Sequence, residues 1–195
     1  MVTWKPVMGL FPPITDADWI ALFEQYKQSP QYVKVNYWMT LDDFKPIFFW
    51  EYLHRVLGRL IGLVFFVPWL WFTVRGMLRG RLAIRAFVAF VLGGLQGLLG
   101  WYMVKSGLVD VPEVSHYRLA AHLSLAFFVG MYVLWLWLDL SFVEARKGHT
   151  GVRTLCWSFL ALLGVQIVYG AFMAGMKAGL LYRTFPDING QFAPD

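Results

Sequence analysis

Apolar residues along this chain fall into four long runs, residues 48–74, 82–104, 117–140 and 154–176, with short polar breaks between them. Each run holds about the 20 residues that a helix needs to cross a bilayer core of roughly 30 Å. Lipid offers backbone amides no partner, so helices are the economical way across. Residues 1–47 differ: polar and apolar positions mix, and the segment is long for a loop. Pro12-Pro13 marks a turn, and Thr15 and Asp16 supply N-caps for a short amphipathic helix over 17–27 that gathers Trp19, Leu22, Phe23 and Tyr26 on one side. Such a helix lies on a membrane surface or covers a cavity mouth. A second short helix or turn near 41–45 leads into the first run. The pattern predicts an all-α integral membrane protein: an external segment 1–47, a four-helix transmembrane bundle over 48–180, and an external tail 181–195.

Composition strengthens this picture. Hydrophobic residues make up 58% of the 195 and charged residues only 15%, where a soluble domain carries about 25% charged residues. The net charge of +5 does not point to nucleic acid, because the basic residues gather in two short breaks. Arg75, Arg79, Arg81 and Arg85 lie between the first and second runs; Arg146, Lys147 and Arg153 lie between the third and fourth. On the other side, Lys5, Lys27, Lys34 and Lys45 are matched by Asp16, Asp18, Glu24, Asp42 and Asp43. The positive-inside rule then puts the Arg-rich breaks in the cytoplasm or matrix and the N-terminal segment outside. The single cysteine, Cys156, excludes an intrachain disulfide and a Cys-based metal cluster. Near the start of the fourth run, it reads as a buried small apolar residue.

Two histidines carry the chemistry. His54 and His122 each sit a turn or so inside the same end of a predicted span. Below His54 on its own face come Gly58 and Gly62; below His122 come Ala126 and Gly130. Each imidazole therefore stands above a shallow groove, as a flat macrocycle with axial histidines requires, which points to haem bound within a bundle. A zinc site would usually take three or four ligands. Glu51 lies three residues before His54 and four before Arg55, so it shares a face with the first and can pair with the second. Arg55 and Arg59 either meet carboxylates such as haem propionates or form an interfacial collar of snorkelling charges. Arg118 stands four residues before His122. His116 reads as a solvated loop residue outside the helix, and His149 lies on the opposite membrane side. Gln96 and Gln166 suit hydrogen bonds between helices, Gly93, Gly94, Gly97 and Gly100 a close helix approach, and Lys105 and Lys177 snorkelling at the outward ends.

The chain also echoes itself. Leu92-Gly93-Gly94-Leu95-Gln96 resembles Leu162-Leu163-Gly164-Val165-Gln166, and the opening Thr3-Trp4-Lys5-Pro6 resembles the closing Thr184-Phe185-Pro186. The closing copy follows a predicted span and the opening one does not, so an equivalent helix is expected upstream of Met1.

On these residues the sequence resembles the haem A synthase family. The matching pieces are Trp4-Lys5-Pro6 with Gly9 and Pro12-Pro13; Phe44-Lys45; Glu51-Tyr52-Leu53-His54-Arg55 with Gly58-Arg59; Leu92 to Val104; Tyr117-Arg118-Leu119-Ala120-Ala121-His122-Leu123; and Gly170 to Gly179 with Thr184-Phe185-Pro186. The resemblance implies an oxidoreductase that converts the C8 methyl of haem O stepwise to the formyl of haem A, with oxygen from water, for cytochrome oxidase biogenesis. It implies an eight-helix fold in two halves, of which this chain resembles the second to fifth helices, of the type lacking a loop cysteine pair. His54 and His122 then ligate the iron of haem O, and Glu51 is the acidic residue of the oxidation. The family's haem b belongs to a second histidine pair with no counterpart here. The implied partners are haem O, membrane lipid, haem O synthase and a chain carrying the missing helices, in a bacterial plasma membrane or mitochondrial inner membrane, with the histidine site on the periplasmic or intermembrane-space side. Two alternatives stay open at this point: a four-helix b-type cytochrome that carries electrons, needing His54 and His122 but not Glu51, and a non-catalytic haem-binding assembly subunit.

Overall fold

The computed structural model describes residues 12–107, 114–142, 149–181, 184, 187–188 and 190–192. The opening Thr3-to-Gly9 motif, the basic Arg146 and Lys147, and parts of the closing motif lie outside them. Two compact units divide the chain, Met1–Glu113 and Val114–Asp195. The first holds α1 (Asp16–Lys27), α2 (Pro30–Lys34), α3 (Leu41–Val74) and α4 (Gly80–Gly107); the second holds α5 (His116–Ser141), α6 (Thr150–Gly175) and α7 (Ala178–Leu181). Four of these helices, α3 to α6, are long and apolar enough to cross a membrane.

In the first unit, side chains set where helices begin. Thr15 starts α1 with a capping box: its amide and hydroxyl donate to the Asp18 carboxylate at 3.2 and 2.7 Å, and the Asp18 amide donates back to Thr15 Oγ1 at 3.2 Å. The Thr15 hydroxyl, followed by its amide, holds the Asp18 carboxyl below its ordinary value. Thr40 and Asp43 repeat the box at the start of α3. Residues 41–45 are therefore the first turn of α3, not a separate element. Pro46 removes one backbone bond early in the helix without ending it. At about 1.5 Å per residue, 34 residues make a rod of roughly 50 Å, well beyond one bilayer core.

The overhang is clothed in aromatic rings. Phe23, Tyr26, Met39, Phe44 and Phe48 are buried together, with Trp19, Leu22, Tyr32, Leu41 and Tyr52 packed around them. Trp19 meets Phe48 at 5.2 Å and Phe23 meets Phe44 at 5.4 Å. Ascending positions on α1 meet descending ones on α3, so the two run antiparallel and α1 begins nearest the span. Asn36 Nδ2 donates to the Tyr26 hydroxyl at 2.8 Å, tying in the α2–α3 connection.

At its far end α3 stops in a Schellman turn. The Met77 amide bonds the Phe72 carbonyl at 2.9 Å and the Gly76 amide bonds Thr73 at 3.0 Å. Gly76 takes φ +67°, which a Cβ would disfavour. Arg75 lies over the Trp71 ring at 4.6 Å. α3 and α4 then meet through rings: Phe66 with Phe90 at 5.1 Å, and Trp69 with Phe87 at 5.4 Å and with Phe90 at 6.1 Å. A Cβ at Gly93, Gly94 or Gly97 would meet nothing within 4 Å, so these glycines do not form the α3–α4 contact within the first unit. The aromatic contacts take that role.

The second unit packs the opposite way, on small residues. Ala120 and Ala171 are buried, and a Cβ at Gly175 would come within 2.7 Å of His116 Cβ and 2.9 Å of its Cα. His116 is thus not a solvated loop residue: it opens α5, half-buried, edge-on to Phe172 at 5.6 Å. Cys156 and Gln166, expected to be buried and bonded across helices, are both exposed on α6. The α6 helix is apolar all round, so its sequence pattern does not say which face meets α5. After α6, Lys177 takes φ +52°, the left-handed position usually given to glycine.

Two outcomes follow. Gly175→Ala lowers the stability of the detergent-solubilised chain by about 1–3 kcal/mol through overpacking, whereas Gly164→Ala, whose Cβ meets nothing within 4 Å, does not; thermal unfolding compares the two. The lowered Asp18 value means that the α1 cap is complete at neutral pH and fades as the pH falls through that value. Hydrogen exchange along α1 of the full chain should show it loosening in acid in the wild type and loosened at every pH in Thr15→Ala.

Candidate functional site

Counting about 20 residues back from Arg75 along α3 reaches Arg55 and Val56. Glu51, His54 and Arg55 therefore mark the boundary between the membrane span and the aromatic overhang. Tyr52 closes the base of the aromatic core, stacked on Phe48 at 6.0 Å and 12°. Beside it the Arg55 guanidinium pairs with the Glu51 carboxylate. The Arg55 side chain is 16% exposed and that of Glu51 32%. This is the pairing that the four-residue spacing predicts.

His54 faces elsewhere. It is exposed, as is Gly58 one turn deeper, and Gly62 below that is half-buried. A Cβ at either glycine would meet nothing within 4 Å. The surface under His54 is open backbone that a flat ligand can approach closely. Arg59 is half-buried and lies five residues past His54, about 140° around the helix from it at 100° per residue.

In the second unit His122 is half-buried, and its Nδ1 atom is buried. Arg118, also half-buried, stands one turn nearer the helix start. Ala126 and Gly130 are exposed, and a Cβ at Gly130 would meet nothing within 4 Å. The same pattern thus recurs within each unit: an imidazole near the start of a span, small residues and open surface beneath it. An imidazole donor, a strip without side-chain bulk and nearby guanidinium groups fit a haem with anionic substituents.

The sequence reading missed the aromatic packing on the outer part of α3, on the side of the helix where Glu51 and Arg55 fall. Its signal is there: a second Thr-x-x-Asp box at Thr40, followed by Phe44, Phe48 and Tyr52 four residues apart. It also missed the contact of His116 with Phe172. That contact depends on Gly175, which lies 59 positions along the chain from His116.

The profile of the COX15-CtaA family, described as cytochrome oxidase assembly protein, matches residues 1–195. The protein named "Heme A synthase" from Nitrosospira multiformis is 48% identical over 198 residues, covering 100% of this chain and 56% of that protein. Its namesake from Parvibaculum lavamentivorans is 50% identical over 192 residues, covering 98% and 56%. That from Flavobacterium psychrophilum is 43% identical over 195 residues, covering 98% and 58%. The chain spans about half the length of the curated relatives it matches. No solved structure matches it.

A haem seated on His54 makes a specific demand of Gly58. Gly58→Leu fills open space, so unfolding of the haem-free chain stays within about 1 kcal/mol of wild type. Haem content of the purified chain falls roughly tenfold or more.

Proposed function

The chain belongs to the COX15-CtaA family of cytochrome oxidase assembly proteins, and from that premise we propose that it acts as a haem A synthase-type oxidoreductase on haem O. The observation that carries this reading is the paired Glu51 carboxylate one turn from His54, at the mouth of an open glycine strip. An electron-carrying cytochrome needs the histidine but has no use for the acid.

In this reading His54 and His122 would be the residues that hold the iron of haem O, and the open strips at Gly58, Gly62 and Ala126 would leave room for the macrocycle. Arg118, four residues before His122 and on its face, would meet a propionate. On haem the C8 methyl neighbours a propionate, so holding the propionates at the membrane boundary brings that methyl toward the end where Glu51 lies. The overall change, methyl plus water to formyl, releases four protons and four electrons. Glu51 accepts a proton from water as its oxygen attacks the reacting carbon, and the electrons pass to an acceptor outside this chain. The bound macrocycle spreads the charge that develops on the carbon. A resident haem b needs another histidine pair. Of the two remaining histidines, His116 packs on Phe172 and His149 caps α6, accepting from the Gly151 amide at 3.3 Å, so the reading assigns no haem b to this chain. The positive-inside rule puts the Arg75-to-Arg85 side in the cytoplasm or matrix and Glu51 on the outer side, where water reaches it. The setting is a bacterial plasma membrane or mitochondrial inner membrane, with haem O synthase as supplier.

The test is haem content of the detergent-purified chain, by reduced-minus-oxidised spectrum and pigment extraction. Wild type carries haem O or haem A; His54→Ala and His122→Ala lose it. Glu51→Gln keeps haem and loses haem A formation by roughly a hundredfold or more. Full conversion in Glu51→Gln sinks the reading, and stoichiometric haem b alone turns it into an electron carrier.

A further inference from the structure

Two tasks compete for the arginine beside His54. Its guanidinium can hold a haem carboxylate, or it can hold the acid of this chain. At about 100° per residue, Glu51 and Arg55 lie roughly 40° apart around α3. Both fall on the side where Phe44, Phe48 and Tyr52 pack beneath α1. His54 lies about 100° from Arg55 and is exposed. Arg55 is instead largely covered, 16% exposed, with its guanidinium on Glu51. Arg118 has the opposite placement: four residues before His122, about 40° from it, on the histidine's own face.

We propose that Arg55 is a positioning residue for Glu51 and not a ligand of the haem carboxylates. A carboxylate at the membrane boundary is costly unless something answers its charge. A charge-assisted hydrogen bond from Arg55 does so, and it fixes the orientation of the carboxylate. Tyr52, stacked on Phe48, follows Glu51 by one residue and precedes Arg55 by three, so the pair stands on the aromatic side of α3. The inference rests on the reading of Glu51 as the proton acceptor and assigns that site a further residue.

The experiment uses the full chain in detergent with haem b as the titrated probe. Arg55→Gln binds haem b within about twofold of wild type, whereas Arg118→Gln weakens binding roughly tenfold. In thermal unfolding of the haem-free chain, Glu51→Gln and Arg55→Gln are non-additive: the double variant is less destabilised than the two singles together. Turnover per bound haem O falls roughly tenfold or more in Arg55→Gln, and Arg55→Lys recovers most of it. A tenfold loss of haem affinity in Arg55→Gln, or additive unfolding shifts, overturns the proposal. If Arg55→Gln does not fold, Arg55→Lys answers in its place, because it keeps the charge but loses the fork that a bidentate carboxylate contact needs. Full turnover in Glu51→Gln overturns the parent reading and this one with it. Full turnover in Arg55→Gln beside an inactive Glu51→Gln overturns this one alone.

Discussion

Burial of Phe23, Tyr26, Phe44 and Phe48 against one another governs the layout of the first unit. Those rings lie on α1 and on the part of α3 outside the span. Once they close, the face of α3 that turns toward α1 is settled. Because side chains on a helix are locked in angular sequence, every other face of α3 is settled too. Glu51 and Arg55 fall beside the aromatic core, and His54, with its glycine strip, falls in the open. The catalytic geometry proposed for this unit follows from a packing decision made outside the membrane, where water makes ring burial favourable. Inside lipid no comparable force would choose the face.

The two long hairpins solve that second problem differently. α3 and α4 meet through large flat rings, with Trp69 and Phe90 nearly parallel at 3°. α5 and α6 approach until a glycine Cα faces the His116 backbone. Ring contacts leave glycines such as Gly93 and Gly97 free on the surface; small-residue contacts consume theirs. A glycine in a span is therefore ambiguous by itself, marking either a seam or an open strip. The neighbours decide, and at Gly58 and Gly62 the neighbourhood is empty.

Much of this was legible in the residues. Four apolar runs located α4 to α6 and the far end of α3 to within a few positions, because hydropathy over 20 residues is a strong signal. The capping residue Thr15 and the apolar side of α1 were visible, since caps and helical spacing are local. The four-residue step from Glu51 to Arg55 gave their pairing. What the sequence did not show was anything that depends on which side of an apolar helix meets its neighbour: the exposure of Cys156 and Gln166, the burial of His116, the idle glycines of α4. Periodicity fades in helices that are apolar all round, and α6 is the extreme case. The merging of residues 41–45 into α3 was missed for a different reason. A proline early in a well-capped helix, here Pro46, removes one bond without ending it.

The length of α3 has a mechanical side. A helix of 34 residues whose inner 20 or so lie in lipid is a lever with its fulcrum at the membrane surface. α1 and α2 are fixed to the outer arm by the aromatic core, about 20 Å long at 1.5 Å per residue. Tilting is how an over-long span adapts to a bilayer, and a tilt of about 20° would carry the end of that arm sideways by roughly 7 Å. Bilayer thickness thus becomes a displacement of the aromatic cap over the ground beside His54.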